Sequence, residues 1–463
     1  MPRRFASLSL LLLAGGCALG PDYERPEVDM PERYVQPVQE GESFANAPWW
    51  NLFADPELQK LIRIALQENQ DLGIAVSRIE EFRAILGVTR ADQLPNVDVN
   101  GGGNRGRGSS NVFPGNLIDG TTENYRLAAD AFFEVDLFGR LRRSTEAARA
   151  ELYAVEESRR SITISLVSSV ASTYILLRDL DAQLAIAERT ETARQDSLKI
   201  IAARFEKGTV PLLDVNQAEI QLAVASALVA VAERAVAQTE NLLSVLLGRN
   251  PGEITRGIAL GQQLLPPNIP AGLPSELLQR RPDVLSAEAQ LAAQTARIGV
   301  AEAARWPSLS LTGSLGLESG ELSDLNSGNS DFWNVGANIF APLFNAGRNR
   351  NRVAIERART EQALLSYEQT VQRAFLEVED ALVAVRTYRD EHAARRRQVE
   401  AARSAAVLSR ARYDGGVTSY LEVLDIERSL FSAELAESET QRQSIIAIID
   451  LYKALGGGWN PEP

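Results

Sequence analysis

Two stretches of this chain, Arg140–Lys207 and Arg348–Asp414, run without a single glycine or proline. Those two residues are the strongest punctuators of local structure, so each stretch is free to form one uninterrupted helix. At 1.5 Å of rise per residue, either helix would be ~100 Å long. Leu166, Val170, Tyr174, Leu177, Leu180 and Leu184 step by three and four along the first, a stripe that must pack on another helix. After a short link each stretch is followed by a second Gly- and Pro-free run, Leu212–Leu247 and Val417–Leu455, which predicts two antiparallel helical hairpins. Alanine, serine and charged residues dominate these runs. Such faces suit a coiled coil or a thin-walled helical tube better than a thick globular core, and the helices alone do not separate a tube from an extended coiled-coil scaffold.

The chain also repeats itself. Ala84 through Leu94-Pro95-Asn96-Val97 recurs as Ala296 through Trp306-Pro307-Ser308-Leu309, an offset of 212 that also matches Gly87 with Gly299. Asp136-Leu137-Phe138-Gly139-Arg140 recurs, two residues longer, as Pro342-Leu343-Phe344-Asn345-Ala346-Gly347-Arg348. Arg204-Phe205-Glu206-Lys207-Gly208 then recurs as Arg412-Tyr413-Asp414-Gly415-Gly416, and Leu246-Leu247-Gly248 as Ala454-Leu455-Gly456, both at an offset of 208. Each half is expected to run helix, strand, strand, very long helix, helix.

The segments before each long helix alternate with period two. Ser308 to Leu317 places leucines on one face and small polar residues on the other; Tyr125, Leu127, Ala129, Ala131, Phe133 and Val135 share a face, as do Trp333, Val335, Ala337 and Ile339. Lengths near ten residues fit tilted strands of an outer-membrane barrel, with Phe113, Tyr125, Trp306, Phe332 and Trp333 as candidate interfacial aromatics. One chain offers four such strands, too few to close, and an open edge cannot sit in lipid. Several copies must therefore share one barrel; two are the minimum and three would give twelve strands.

Composition removes whole classes of function. The 463 residues include one cysteine (Cys17), one histidine (His392) and two methionines, which leaves little for a Cys/His metal site, a disulfide framework or histidine catalysis. A formal charge of -13 argues against nucleic acid, whose phosphates need a clustered basic surface. No carboxylate cluster joins a nucleophile, a phosphate loop or metal-ligand spacing, so no enzyme is expected. Gly101-Gly102-Gly103-Asn104-Arg105-Gly106 has the form GxGxxG, but no helix opens after it, and a flexible barrel loop is the expectation.

At the N-terminus, Arg3 and Arg4 precede a short apolar run, Phe5 to Ala14, well under the length of a spanning helix, as in a signal peptide. Leu13-Ala14-Gly15-Gly16-Cys17 then resembles a bacterial lipobox, which implies a lipidated Cys17; the plain alternative is a small core residue. No later stretch supplies 18 uninterrupted apolar residues. Ala18 to Trp50 is studded with prolines and reads either as an extended tether against the body or as a disordered tail, before Asp55-Pro56 caps an amphipathic helix.

These motifs are similar to those of TolC-type outer-membrane efflux factors, in particular the lipoprotein members that serve resistance-nodulation-division pumps. The resemblance spans nearly the whole chain: Gly20-Pro21-Asp22-Tyr23-Glu24-Arg25-Pro26, Trp49-Trp50-Asn51-Leu52-Phe53-Ala54-Asp55-Pro56, Leu278-Gln279-Arg280-Arg281-Pro282-Asp283-Val284, Ser419-Tyr420-Leu421-Glu422-Val423-Leu424-Asp425 and Leu455-Gly456-Gly457-Gly458-Trp459 among them. It implies a mainly α chain with β, an internal duplication, and a homotrimer that joins a long α-helical barrel to a shared transmembrane β-barrel of four strands per chain. The implied segments are a signal peptide (1–16), a lipid-anchored extended segment (17–55), a first efflux repeat (56–255), a linker (256–273) and a second repeat (274–463). The implied setting is the outer membrane of a Gram-negative cell, with substrate delivered by an inner-membrane pump through a periplasmic adaptor and no cofactor beyond the lipid on Cys17. A polypeptide secretion duct and a periplasmic coiled-coil scaffold lipoprotein are the alternatives.

The resemblance also marks residues. Leu421, Asp425 and Arg428 match a ring that closes the periplasmic aperture, where three copies of Asp425 would favour cations and Arg428 would pair between subunits. The plain alternative is a local pair on a solvated helix, and Ser419 with Glu422 has capping-box spacing. Gly208-Thr209-Val210 and Gly416-Val417-Thr418 match the hairpin tips that contact the adaptor, although turn chemistry alone also asks for glycine there.

Overall fold

The computed structural model describes residues 18–28, 31–36, 54–107, 121–263, 274 and 277–457. Cys17, Phe113, the Trp49–Phe53 motif and Trp459 lie outside the described residues. The element order is α1 (Pro56–Glu68), α2 (Gln70–Ala91), β1 (Asn96–Arg107), β2 (Thr121–Val135), α3 (Arg140–Glu206), α4 (Leu212–Leu246), α5 (Leu277–Arg280), α6 (Pro282–Ala303), β3 (Ser308–Ser319), β4 (Asp331–Phe340), α7 (Arg348–Asp414) and α8 (Tyr420–Ala454). The long helices α3 and α7 each span 67 residues and the returning helices α4 and α8 span 35 each. The absence of Gly and Pro therefore read the hairpins to within a residue or a few at each end.

The amphipathic run after Asp55 is two helices rather than one. Asn69 ends α1 and starts α2: its side-chain oxygen accepts the Leu72 N–H at 3.1 Å, and its amide donates to Leu246 O at 2.9 Å. An asparagine that serves both ends satisfies backbone groups that a continuous helix would have paired internally.

The chain divides into two compact units, Met1–Glu27, Arg78–Glu156 and Ser286–Glu368 forming one, and Val28–Ser77, Glu157–Leu285 and Gln369–Pro463 the other. The first contains one antiparallel sheet in the order β1-β2-β3-β4. Its register brings the alternating sets into line: Val99 faces Ala129, Ala129 faces Leu315, and Leu315 faces Trp333. Odd-numbered residues thus make one nearly continuous apolar face. The even-numbered face is polar, with Asp130 accepting from Asn100 (2.9 Å), Arg126 (2.9 Å) and Ser314 (2.5 Å). β1 and β4 are the two edges, and neither has a further strand partner within the described residues.

Gly101–Gly106 lies inside β1 and not in a loop, which corrects the expectation from the glycine run. Tyr125 explains why glycine is tolerated: its ring lies over Gly103, where an added Cβ would come within 2.8 Å of it. The cross-strand aromatic supplies the packing surface the glycine lacks.

Residues 18–27 are extended and pinned to this unit. Leu19 N–H donates to Phe138 O (3.1 Å), and Arg143 donates to Leu19 O (3.1 Å) and Asp22 (2.7 Å). Arg25 forks onto Glu288 at 2.7 and 2.6 Å, and Tyr23 donates to the same carboxylate at 3.1 Å. For these residues the tether reading holds. At the junction between β2 and α3, Arg140 pairs with Glu134 and Arg142 with Asp136.

The second unit is helical. Its main core joins Leu58, Ile62 and Ala65 of α1 to Val170, Tyr174 and Leu177 of α3, Leu243 of α4, and Ile445, Ile449 and Tyr452 of α8. Asp55, fully buried, caps α1 through the Glu57 N–H (3.0 Å) and also accepts from Tyr174 OH (2.9 Å), Ile258 N (3.0 Å) and Gln263 (2.9 Å). One carboxylate thereby ties the segment after α4 to α1 and α3. Two helices, α3 and α4, hold 18-residue windows of mean hydropathy 1.3 and 1.6; half of the first window is buried against the rest of the chain, as in a core helix.

Candidate aperture and hairpin tips

Each hairpin reverses through the same turn. Gly208 (φ 71°) donates to Phe205 O and Thr209 N–H donates to Arg204 O; Gly416 (φ 71°) donates to Tyr413 O and Val417 N–H donates to Arg412 O. Only glycine takes a positive φ without a steric penalty, so these two positions end α3 and α7 with a left-handed cap. Gly208, Thr209, Gly416 and Val417 are exposed, and Val210 and Thr418 are half-buried. Beneath the tips, Ile201, Ala218, Tyr413, Tyr420, Val423 and Leu424 form a small core to which α3, α4, α7 and α8 all contribute.

The start of α8 follows from this core. Tyr420, Val423 and Leu424 point inward, which leaves Leu421, Asp425 and Arg428 as an exposed stripe on the other face. Arg428 donates to Asp425 at 2.7 Å, one helical turn apart, with side chains 56% and 65% exposed. Within one chain, then, the pair is a local contact in solvent, a kind that contributes about 0–1 kcal/mol. Ser419 is the N-cap of α8, but its hydroxyl caps nothing; Glu422 instead takes a hydrogen bond from Thr418 Oγ1. The capping-box spacing is present without the capping box.

Sequence reading missed the charged layer behind the stripe. Arg194 of α3, 6% exposed, donates to Gln221 of α4, and its Nε has no hydrogen-bond partner. Glu427 of α8 lies 3.9 Å from Arg410 of α7, which also donates to Ser197 of α3 at 3.2 Å. Burial pushes the Glu427 carboxyl up, against the opposing pull of Arg410 and Arg194, and it lowers Arg194. Burial also pushes Tyr420 up to about 12. Desolvation of the charged form outweighs the attraction between these partners. Four helices converge on this layer, and no single-helix pattern announces it.

Comparison with known proteins fits this anatomy. A family model for outer membrane efflux proteins matches twice, over residues 61–249 and 273–457. The solvent efflux pump outer membrane protein SrpC of Pseudomonas putida is 38% identical over 99% of both chains, and the cation efflux system protein CusC of Escherichia coli is 35% identical over 99% of this chain and 100% of its own. Among solved structures, the open-state MtrE outer membrane channel of Neisseria gonorrhoeae has a TM-score of 0.86 at 34% identity, covering 96% of this chain and 98% of that one. The outer-membrane channel OprN has a TM-score of 0.89 at 32% identity, covering 96% and 100%. The chain belongs to the outer membrane efflux protein family.

Proposed function

We propose that this protein is the outer-membrane duct of a tripartite efflux system, a homotrimer of internally duplicated chains that passively conducts small molecules from an inner-membrane pump and a periplasmic adaptor to the exterior. The sheet carries the reading. Four strands with one apolar face, one polar face and two unpaired edges cannot rest in lipid alone, and three copies would close a twelve-stranded barrel with a wet interior. The duplication is supported by the double family match and by matching glycines of positive φ, Gly139 with Gly347, Gly208 with Gly416 and Gly248 with Gly456. SrpC, CusC and the antibiotic efflux protein ArpC of Pseudomonas putida carry names for solvents, cations and antibiotics, which favours a small-molecule duct over a polypeptide secretion duct or a scaffold.

In this reading Cys17 carries the lipid, and the pinned strap from Ala18 to Arg25 holds the anchor beside the end of β2. Leu421, Asp425 and Arg428 ring the periplasmic aperture, and the tips at Gly208–Val210 and Gly416–Thr418 dock the adaptor. Chemistry is left to the pump, so no catalytic residue or cofactor is assigned.

Native mass spectrometry of the full-length product, extracted from outer membranes in mild detergent, tests this. The expected species is a trimer with three added lipid masses. A monomer freed by cleaving the lipid would overturn the duct and restore the scaffold.

A further inference from the structure

We propose that β4 pairs with β1 of the next copy in one specific antiparallel register, with Asp331 opposite Arg107, Asn338 opposite Asn100 and Phe340 opposite Asp98; this rests on the trimeric reading above.

Three observations lead to it. The first is which backbone groups face the free edges. Glu318 N–H donates to Ser330 O at 2.8 Å, so even-numbered residues of β3 and β4 bond one another. Alternation then passes across the sheet: odd residues of β3 bond odd residues of β2, even residues of β2 bond even residues of β1, and both free edges present odd-numbered residues. Odd must meet odd. That keeps the apolar face continuous around the barrel, and it turns the missing N–H of Pro342 away from the new ladder.

The second is the internal precedent. The β2·β3 pairing puts Val135 opposite Leu309. Leu309 corresponds to Val97, and Leu137-Phe138 corresponds to Leu343-Phe344, so Val135 corresponds to Ala341. Ala341 should then face Val97 of the next copy, which is the proposed register.

The third is closure. Crossing the ladders from Asn96 leads to Phe132, Thr312 and Gly336, and the proposed register carries Gly336 to Gly102 of the next copy. The slip is about six residues per copy, or ~60 Å over three copies at ~3.3 Å each, against a circumference of ~58 Å for twelve strands ~4.8 Å apart. The strands then tilt by ~45°, as closed membrane barrels do. Aligning the halves by their hairpin registers instead places Leu343 opposite Val97 and tilts the strands by ~54°, outside that range. Only the proposed register satisfies both the precedent and closure. It pairs all ten residues of β4 and sets the carboxylate of Asp331 against the guanidinium of Arg107.

Four double-cysteine variants of the full-length protein, oxidised mildly in outer membranes, test it; native Cys17 is the only other cysteine. Phe340→Cys with Asp98→Cys and Asn338→Cys with Asn100→Cys are facing, non-hydrogen-bonded positions with Cα atoms ~4.5 Å apart. Phe340→Cys with Asn100→Cys and Asn338→Cys with Asp98→Cys are offset by two residues, ~8 Å apart and beyond disulfide reach. Each substitution occurs in one matched and one offset pair, so misfolding cannot imitate the pattern. Matched pairs should form disulfide-linked oligomers at least about tenfold faster than offset pairs. A trimer by native mass that cross-links best through an offset pair, or through none, overturns the register while the trimer stands. A monomer by native mass with no cross-link in any pair overturns the trimeric reading itself.

Discussion

The two hairpins share one turn and one length, yet their second helices present different surfaces. At an offset of 208, Leu421, Asp425 and Arg428 of α8 correspond to Leu213, Gln217 and Ile220 of α4. Buried Val423 matches half-buried Val215, whereas half-buried Glu427 matches exposed Glu219, so the inward pattern is kept only in part. The outward stripe is ionic on one hairpin and neutral on the other: Asp425 and Arg428 pair at 2.7 Å, whereas Leu213 and Ile220 are exposed hydrophobics. At matching positions, then, α8 presents an exposed ion pair and α4 presents exposed aliphatic side chains.

The largest test removes what the hairpins have in common. Ile201→Ala truncates a fully buried side chain in the core shared by α3, α4, α7 and α8, and should cost about 2–5 kcal/mol. Hydrogen exchange should then rise at both tips together; a rise at one tip alone would mean the two hairpins are not coupled there.

Glu427→Gln comes next and probes the buried layer behind only one stripe. The folded carboxyl titrates above its ordinary range, so folding is favoured in acid and that advantage is lost as the pH rises through the folded value. The variant should raise the melting temperature at pH 7 by about 2 °C and leave it unchanged below the ordinary glutamate range. A loss at pH 7 would show that the contact with Arg410 outweighs burial.

Asp425→Ala should raise resting conductance in planar bilayers by up to about fivefold, the limit set by an exposed ion pair. Gln217→Ala, its counterpart on α4, should leave conductance unchanged. Equal responses would erase the distinction between the hairpins. The smallest effect belongs to Ser419→Ala: an ordinary N-cap loss costs about 0.5–2 kcal/mol, but a hydroxyl that caps nothing should cost less than about 0.5 kcal/mol in chemical denaturation.

Local rules made much of this legible. The Gly- and Pro-free runs marked α3, α4, α7 and α8, and the alternation of Leu309, Leu311 and Leu315 marked β3, because helix and strand periodicities are carried by neighbours in sequence. The glycines of β1 misled, since Tyr125, which covers Gly103, comes from another strand. Arg194, Arg410 and Glu427 stayed invisible, each unremarkable on its own helix.

The sequence by itself determined the type and length of α3, α4, α7 and α8 and the capped turns at Gly208 and Gly416, because each depends on backbone preferences within a few residues. Only the tertiary structure decided the register Val135–Leu309, the binding of the strap by Arg143 and Glu288, and the burial that raises Glu427. Those join residues far apart along the chain, and their energies come from desolvation and strand pairing that exist only after the chain has come together.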